Sequence, residues 1–206
     1  MVAPAARERQ RLPRGERRSQ LLEAAAKVFA DRDPAEVTFE EIADAAGVSR
    51  ALFYNYFRDR NGLLEAIHRL YVERLRLRVQ AGLAGASGEN ALGAAVRAHV
   101  EFAADDPDGY RYAAGRVPFA GVSAIMDNRR IELAPVYGGG THADLVAVGT
   151  FAVIESMVLH WLDHGGPADS PLSADDLVAL LTALLMTGLQ GLVAQHFPID
   201  PHYPTG

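Results

Sequence analysis

The stretch TFEEIADAAGVSRALFYNYFRDR, Thr38 to Arg60, decides the fold. Thr38 and Glu41 have the spacing of a capping box, in which the threonine oxygen bonds an amide of the first turn and the glutamate reaches back to the cap. A helix should therefore start at Thr38. Phe39, Ile42, Ala43 and Ala46 follow at helical spacing, and Gly47 stops the run where a left-handed, chain-reversing residue costs least. Val48 can fill the elbow. Ser49 then caps a second short helix, Arg50 to Phe57, in which Phe53 and Phe57 share one buried stripe. The pattern predicts helix, tight turn, helix.

The outer face of that second helix carries Arg50, Ala51, Leu52, Tyr54, Asn55 and Tyr56. A guanidinium, an amide, two phenols and small apolar groups suit base edges, thymine methyls and phosphate oxygens. An ordinary amphipathic helix would show more Glu and Lys there. Arg50 is the better match for guanine and Asn55 for adenine, while Tyr54 and Tyr56 suit phosphates. Thr38 and Ser49 are further candidates for contact with DNA. Asp59 opens a further helix with Arg60 in its first turn, beside unpaired amides that already favour an anion, so a phosphate can be gripped at that corner.

Residues 17 to 67, from RRSQLLEAAAKVFADRD through VTFEEIADAAGVSRALFYNYF to RDRNGLLEAI, resemble the N-terminal domain of the tetracycline-repressor (TetR) family. The likeness covers about a quarter of the chain, and the AAxxxF, T-x-x-x-I-A, G-V-S, Y-x-Y-F and L-L elements all occur in register. Three positions depart from the commonest pattern: Leu52, where threonine is frequent; Arg60, where lysine is; and Asn61, where an acid is. Arg60 can still hold phosphate, with a planar fork in place of a point charge. Leu52 cannot donate a hydrogen bond, so any preference there is apolar or steric.

The chain has 206 residues, 49% hydrophobic and 22% charged, an ordinary globular balance. It has no cysteine, which excludes disulfides, thiolate metal sites and thiol catalysis. Residues 1 to 20 lack the apolar segment of a secretory signal, which argues for a cytoplasmic protein. The net charge of -6 is unevenly divided: residues 1 to 60 carry eleven Lys+Arg and ten Asp+Glu, giving +1, and the remainder nine and sixteen, giving -7. Arg7, Arg9, Arg11, Arg14, Arg17 and Arg18 against Glu8 and Glu16 make an arm of charge +4. One end can approach phosphate while the other keeps the chain soluble.

The expected organisation is all-α: a flexible basic tail at 1–16, a three-helix helix-turn-helix domain at 17–60, and a helical ligand-binding and dimerisation domain at 61–206. The tail either lies along DNA or is a solvated leader. A helix from about Arg17 to Ala30 is scaffold, since three helices are needed to enclose Phe29, Ile42, Phe53 and Phe57. A long fourth helix, Asp59 to Gly82 and about 35 Å long at a rise of about 1.5 Å per residue, enters the second domain, so a tilt at one end displaces the other. After LAGASGEN, residues 83 to 90, helices are expected at 90–104, 108–115, Phe119–Leu133, 142–164 and 173–196.

The last two helices are apolar nearly all round, so something must cover a second face. Thr182, Thr187 and Gln190 interrupt one and Glu155, His160 and Asp163 the other, which argues against a bilayer. The better account is a homodimer through a four-helix interface, with Ala179, Ala183, Gly188 and Gly191 allowing close approach; TetR-like proteins usually pair this way. The recognition helices would then meet successive major grooves of a near-palindromic operator, about 34 to 36 Å apart or somewhat more. His99, Phe102, Tyr110, Tyr112, Arg116, Met126, Arg129, Phe151, Glu155, His160 and Trp161 are candidates for lining an effector pocket suited to a hydrophobic or amphipathic small molecule. Glu155, amid an apolar run, needs a partner, which Arg116, Arg129 or a cationic ligand could supply. His160, Asp163 and His164 have metal-ligand spacing, but no further cluster accompanies them and no metal is expected. No cofactor or catalysis is expected either: there is no Gly-rich phosphate loop, nucleophile elbow or thiol. The resemblance implies a ligand-responsive transcriptional repressor that leaves its operator when a small, largely hydrophobic effector binds. The rivals are an activator of the same fold and an α-helical small-molecule-binding protein or enzyme.

Overall fold

The computed structural model of the chain describes residues 13–30, 32, 36–86, 89–116 and 141–194, and over these it is all-helical. It divides into two compact units, Met1–Leu63 and Leu64–Gly206.

The first unit holds α1 (Arg14–Ala30), α2 (Phe39–Ala45) and α3 (Arg50–Tyr54). α1 starts three residues before the predicted Arg17, because the Pro13 carbonyl already accepts the first helical bond from Arg17 N at 2.9 Å. Arg14, Arg17 and Arg18 thus lie on a helix. The apolar positions at helical spacing are the buried ones: Leu21, Leu22, Ala25, Ala26 and Phe29 of α1 are buried, as are Val37, Ile42, Ala43, Phe53, Phe57 and Leu63. Phe53, fully buried, sits 5.2 Å edge-on from Phe39 and 5.1 Å from Phe57. A buried phenylalanine is worth about 1.5–3 kcal/mol, so this ring cluster ties α2 to α3 and to the turn that follows it.

Gly47 joins α2 to α3 at φ 64°, with its amide on the Asp44 carbonyl at 3.0 Å and Val48 N on the Ala43 carbonyl at 3.0 Å. α3 is shorter than the predicted Arg50–Phe57: it ends at Tyr54, and Asn55 and Tyr56 form a turn. The chain must bend there to return Phe57 to the core and let Asp59 cap the next helix, where its Oδ1 accepts Gly62 N at 2.7 Å. That helix, α4 (Arg60–Leu83), has 24 residues; it begins in the first unit and continues from Leu64 in the second.

In the second unit α5 (Glu89–Asp105) packs against α6 (Pro107–Ala113), α7 (Thr141–Asp163) and α9 (Ala174–Ala194), while α8 (Gly166–Asp169) is a single turn. α8 was not foreseen: Gly165, at φ 106°, reverses the chain so tightly that a Cβ would lie 2.6 Å from the Asp169 carbonyl carbon. Asp106 caps α6 by accepting Gly109 N at 2.9 Å, and Ser173 caps α9 by accepting Asp176 N at 3.1 Å. The predicted helix Phe119–Leu133 lies outside the described residues.

By length and composition α7 and α9 are both apolar enough to cross a membrane. In α9, Leu177, Val178, Leu181, Leu185 and Leu189 are buried, whereas Leu180 is 48% and Leu184 51% exposed. Ala179, Ala183, Gly188 and Gly191 share that open side, and Leu145 of α7 is 67% exposed.

Candidate nucleic-acid interface and effector site

The polar surface predicted around the tight turn is built by local caps. The Ser49 hydroxyl accepts Leu52 N at 3.2 Å, which starts α3 and leaves its own hydrogen to donate outward. Arg50, Ala51, Tyr54 and Asn55 are exposed; Leu52 and Tyr56 are half-buried. Tyr54 leans on Phe39 at 5.3 Å, which fixes the phenol without burying it. Arg14 lies over the Tyr56 ring at 5.9 Å and Arg18 over Phe57 at 5.5 Å, so part of the predicted basic arm is seated on the turn that follows α3. Arg17 of that arm donates to Gln20 Oε1 at 2.8 Å, and Arg7, Arg9 and Arg11 precede the described residues. Arg50 also pairs with Glu40 of α2.

Two predicted contact residues are committed within the fold. Thr38 accepts Glu41 N at 3.2 Å and gives both its hydroxyl (2.8 Å) and its amide (2.7 Å) to Glu41 Oε2, while Arg32 donates to Glu41 Oε1 at 2.6 Å. The Arg32 guanidinium, then the Thr38 amide and hydroxyl, hold the Glu41 carboxyl down at about 2. Thr38 therefore acts first as a helix cap. Arg60 is half-buried, and its Nη2 donates to the Val37 carbonyl at 2.6 Å, tying the start of α4 to the loop before α2.

In the second unit the structure gathers four of the predicted effector residues. His99 of α5 shares a 3.2 Å hydrogen bond with the Tyr110 hydroxyl, and its ring lies 5.8 Å edge-on from Phe151 of α7; Phe102 approaches Tyr110 at 6.3 Å. His99, Phe102 and Tyr110 are buried and Phe151 half-buried. Tyr112 stacks on Tyr71 at 5.6 Å, and its buried hydroxyl has no partner among the described residues. Burial, then Tyr71 and Asp108, raise this phenol above its ordinary 10.0, so it stays a neutral donor.

Sequence reasoning missed His68, which is buried and donates from Nδ1 to the Tyr112 carbonyl at 2.6 Å. A carbonyl can only accept, so Nδ1 carries the proton. The signal was available: His68 stands at helical spacing from Leu64 and Tyr71, both buried. Thr150, also buried, was missed as well.

Other candidates lie elsewhere. Arg116 and His160 are exposed, not interior. Arg116 reaches Asp163 at 3.3 Å, as Arg111 does, so it does not serve Glu155, which is buried on α7. The His160 ring lies 4.0 Å from that of His164, tilted against it, and His164 Nδ1 donates to the His160 carbonyl at 2.8 Å. Trp161 is buried, its Nε1 donating to the Leu172 carbonyl at 2.8 Å. Met126 and Arg129 lie outside the described residues. Among the described residues no three His, Cys, Asp or Glu side chains form a metal cluster.

A small helical unit that packs Phe39, Phe53 and Phe57 together and leaves the guanidinium of Arg50, the phenol of Tyr54 and the amide of Asn55 in solvent around its shortest helix has the form of a helix-turn-helix DNA reader. Comparisons with known proteins agree. Residues 21–67 match the family model described as bacterial regulatory proteins, tetR family. The chain is 33% identical over 181 residues to the HTH-type transcriptional activator FasR of Mycolicibacterium smegmatis, covering 82% of each. A TetR-like transcriptional regulator from Rhodococcus sp. RHA1 superposes with a TM-score of 0.70 at 25% identity, over 88% of this chain and 100% of that one. One from Streptomyces coelicolor has the same fold, with a TM-score of 0.63 at 24% identity, over 90% and 85%. The chain belongs to the tetR family of bacterial transcriptional regulators.

Proposed function

We propose that the chain is a cytoplasmic, ligand-responsive transcriptional repressor that binds a near-palindromic operator as a homodimer. The observation that carries the DNA reading is the exposure of Arg50, Tyr54 and Asn55 around a Ser49-capped helix whose other side is buried. Arg50 and Asn55 read base edges, Tyr54 and Ser49 meet phosphates, and Arg60 adds a phosphate contact through the part of its fork not given to Val37. The open apolar side of α9, with Leu180 and Leu184, supports pairing with a second copy. The effector is a small amphipathic molecule among His99, Phe102, Tyr110 and Phe151, anchored by the imidazole of His99 and the phenol of Tyr110. It favours the released state by binding it more tightly, and α4, shared by both units, carries the change to α3.

A second reading, activation at the same kind of operator, is favoured by the similarity to a transcriptional activator of Mycolicibacterium smegmatis. Selection of bound duplexes from a random pool by the purified chain should return a palindrome; a pool with no enriched motif would reject the proposal. A reporter placed behind the selected motif should rise on deletion of the regulator if it represses and fall if it activates.

A further inference from the structure

The ion pair between Glu40 and Arg50 joins two exposed side chains, 48% and 59% accessible, across the turn between α2 and α3. We propose that Glu40 is a positioning residue for sequence readout, holding Arg50 toward a base edge and away from the phosphates; this rests on Arg50 being a base reader, as above. Backbone charges are dense along a duplex, so an unrestrained arginine on this surface would fall onto the nearest phosphate, a contact without sequence information. Glu40 occupies Nη1 of Arg50. The Nη2 and Nε edge keeps two parallel donors, the set that matches guanine O6 and N7. Glu40 also brings a negative charge toward the DNA, a penalty equal for all sequences that the base contact offsets only at the right site. Its action is on the ratio of specific to non-specific binding more than on affinity.

Glu41 cannot take over this role, since Arg32 and Thr38 hold both its oxygens. Glu40 stands in the first turn of α2, one residue from Phe39, which packs on Phe53 and Tyr54. The same helix start therefore orients both the apolar and the charged side of α3.

The test uses the full-length wild type, Glu40→Gln, Arg50→Ala and the double variant in random-pool selection and in non-specific duplex titrations at several salt concentrations. Glu40→Gln should melt like wild type and keep the palindrome and its spacing, but lose the guanine preference at one position per half-site. Non-specific affinity should rise about two- to fivefold, the scale of one exposed ion pair. The log–log salt slope should steepen by about 0.9 for each arginine released onto a phosphate. In the Arg50→Ala background the same change should alter neither base preference nor slope. A Glu40→Gln motif and slope equal to wild type would overturn the assignment while leaving the DNA-reading function intact. Loss of all specific binding in Glu40→Gln, with Arg50→Ala unaffected, would overturn it too and make Glu40 the base contact. A wild type that selects no motif would overturn both readings.

Discussion

Glu41 shows how much one exposed side chain can organise when three donors converge on it. Its folded value of about 2 lies below the ordinary 4.5, so it stabilises the first unit above that pH, and the contribution fades as the pH falls from about 4.5 to about 2. Glu41→Gln should therefore lower the melting temperature most at neutral pH, and the difference from wild type should shrink through that window; a constant difference would mean that charge is not the cause. Arg60 combines two duties. Arg60→Ala removes the donor to the Val37 carbonyl, at about 0.5–1.5 kcal/mol, and should also weaken binding to every duplex alike while flattening the salt slope by about 0.9. A lower melting temperature with an unaltered slope would leave Arg60 as a strut alone.

At the level of elements, the turn between α2 and α3 depends on a backbone conformation that L side chains adopt at a cost of about 1–2 kcal/mol. Gly47 has open space where a Cβ would go, so Gly47→Ala tests φ alone, and urea denaturation should show a loss of that size. No loss would mean that the turn relaxes freely. Elements whose determinants are local could be read directly from sequence: the Thr38–Glu41 box, Gly47, the Ser49 cap and Ser173 before α9. What could not be read was set by distant partners. The short α3 follows from the need to return Phe57 to the core, Arg116 is held by an aspartate at position 163, and His68 answers a carbonyl at position 112. The exposed face of α3 was legible because it breaks the usual charge pattern; the interior of the second unit was not, because aromatic and imidazole groups there look like any core.

For the whole molecule, the exposed apolar side of α9 makes assembly testable. Leu180→Glu and Leu184→Glu place charge where the single chain leaves apolar surface open, so neither should disturb the buried Leu177–Leu181–Leu185 side. Light scattering should show monomers, and operator affinity should fall by at least tenfold as the two readers cease to act together. Dimers that survive both changes would point to another interface. Trp161, the chain's single tryptophan, is buried in the second unit. Indole emission is thus a built-in spectroscopic probe for that unit and is silent about the DNA reader, whereas far-ultraviolet circular dichroism sums the helices of both. If the two signals follow separate denaturation curves, the stabilities of the two units can be measured independently in the unlabelled, unmutated chain.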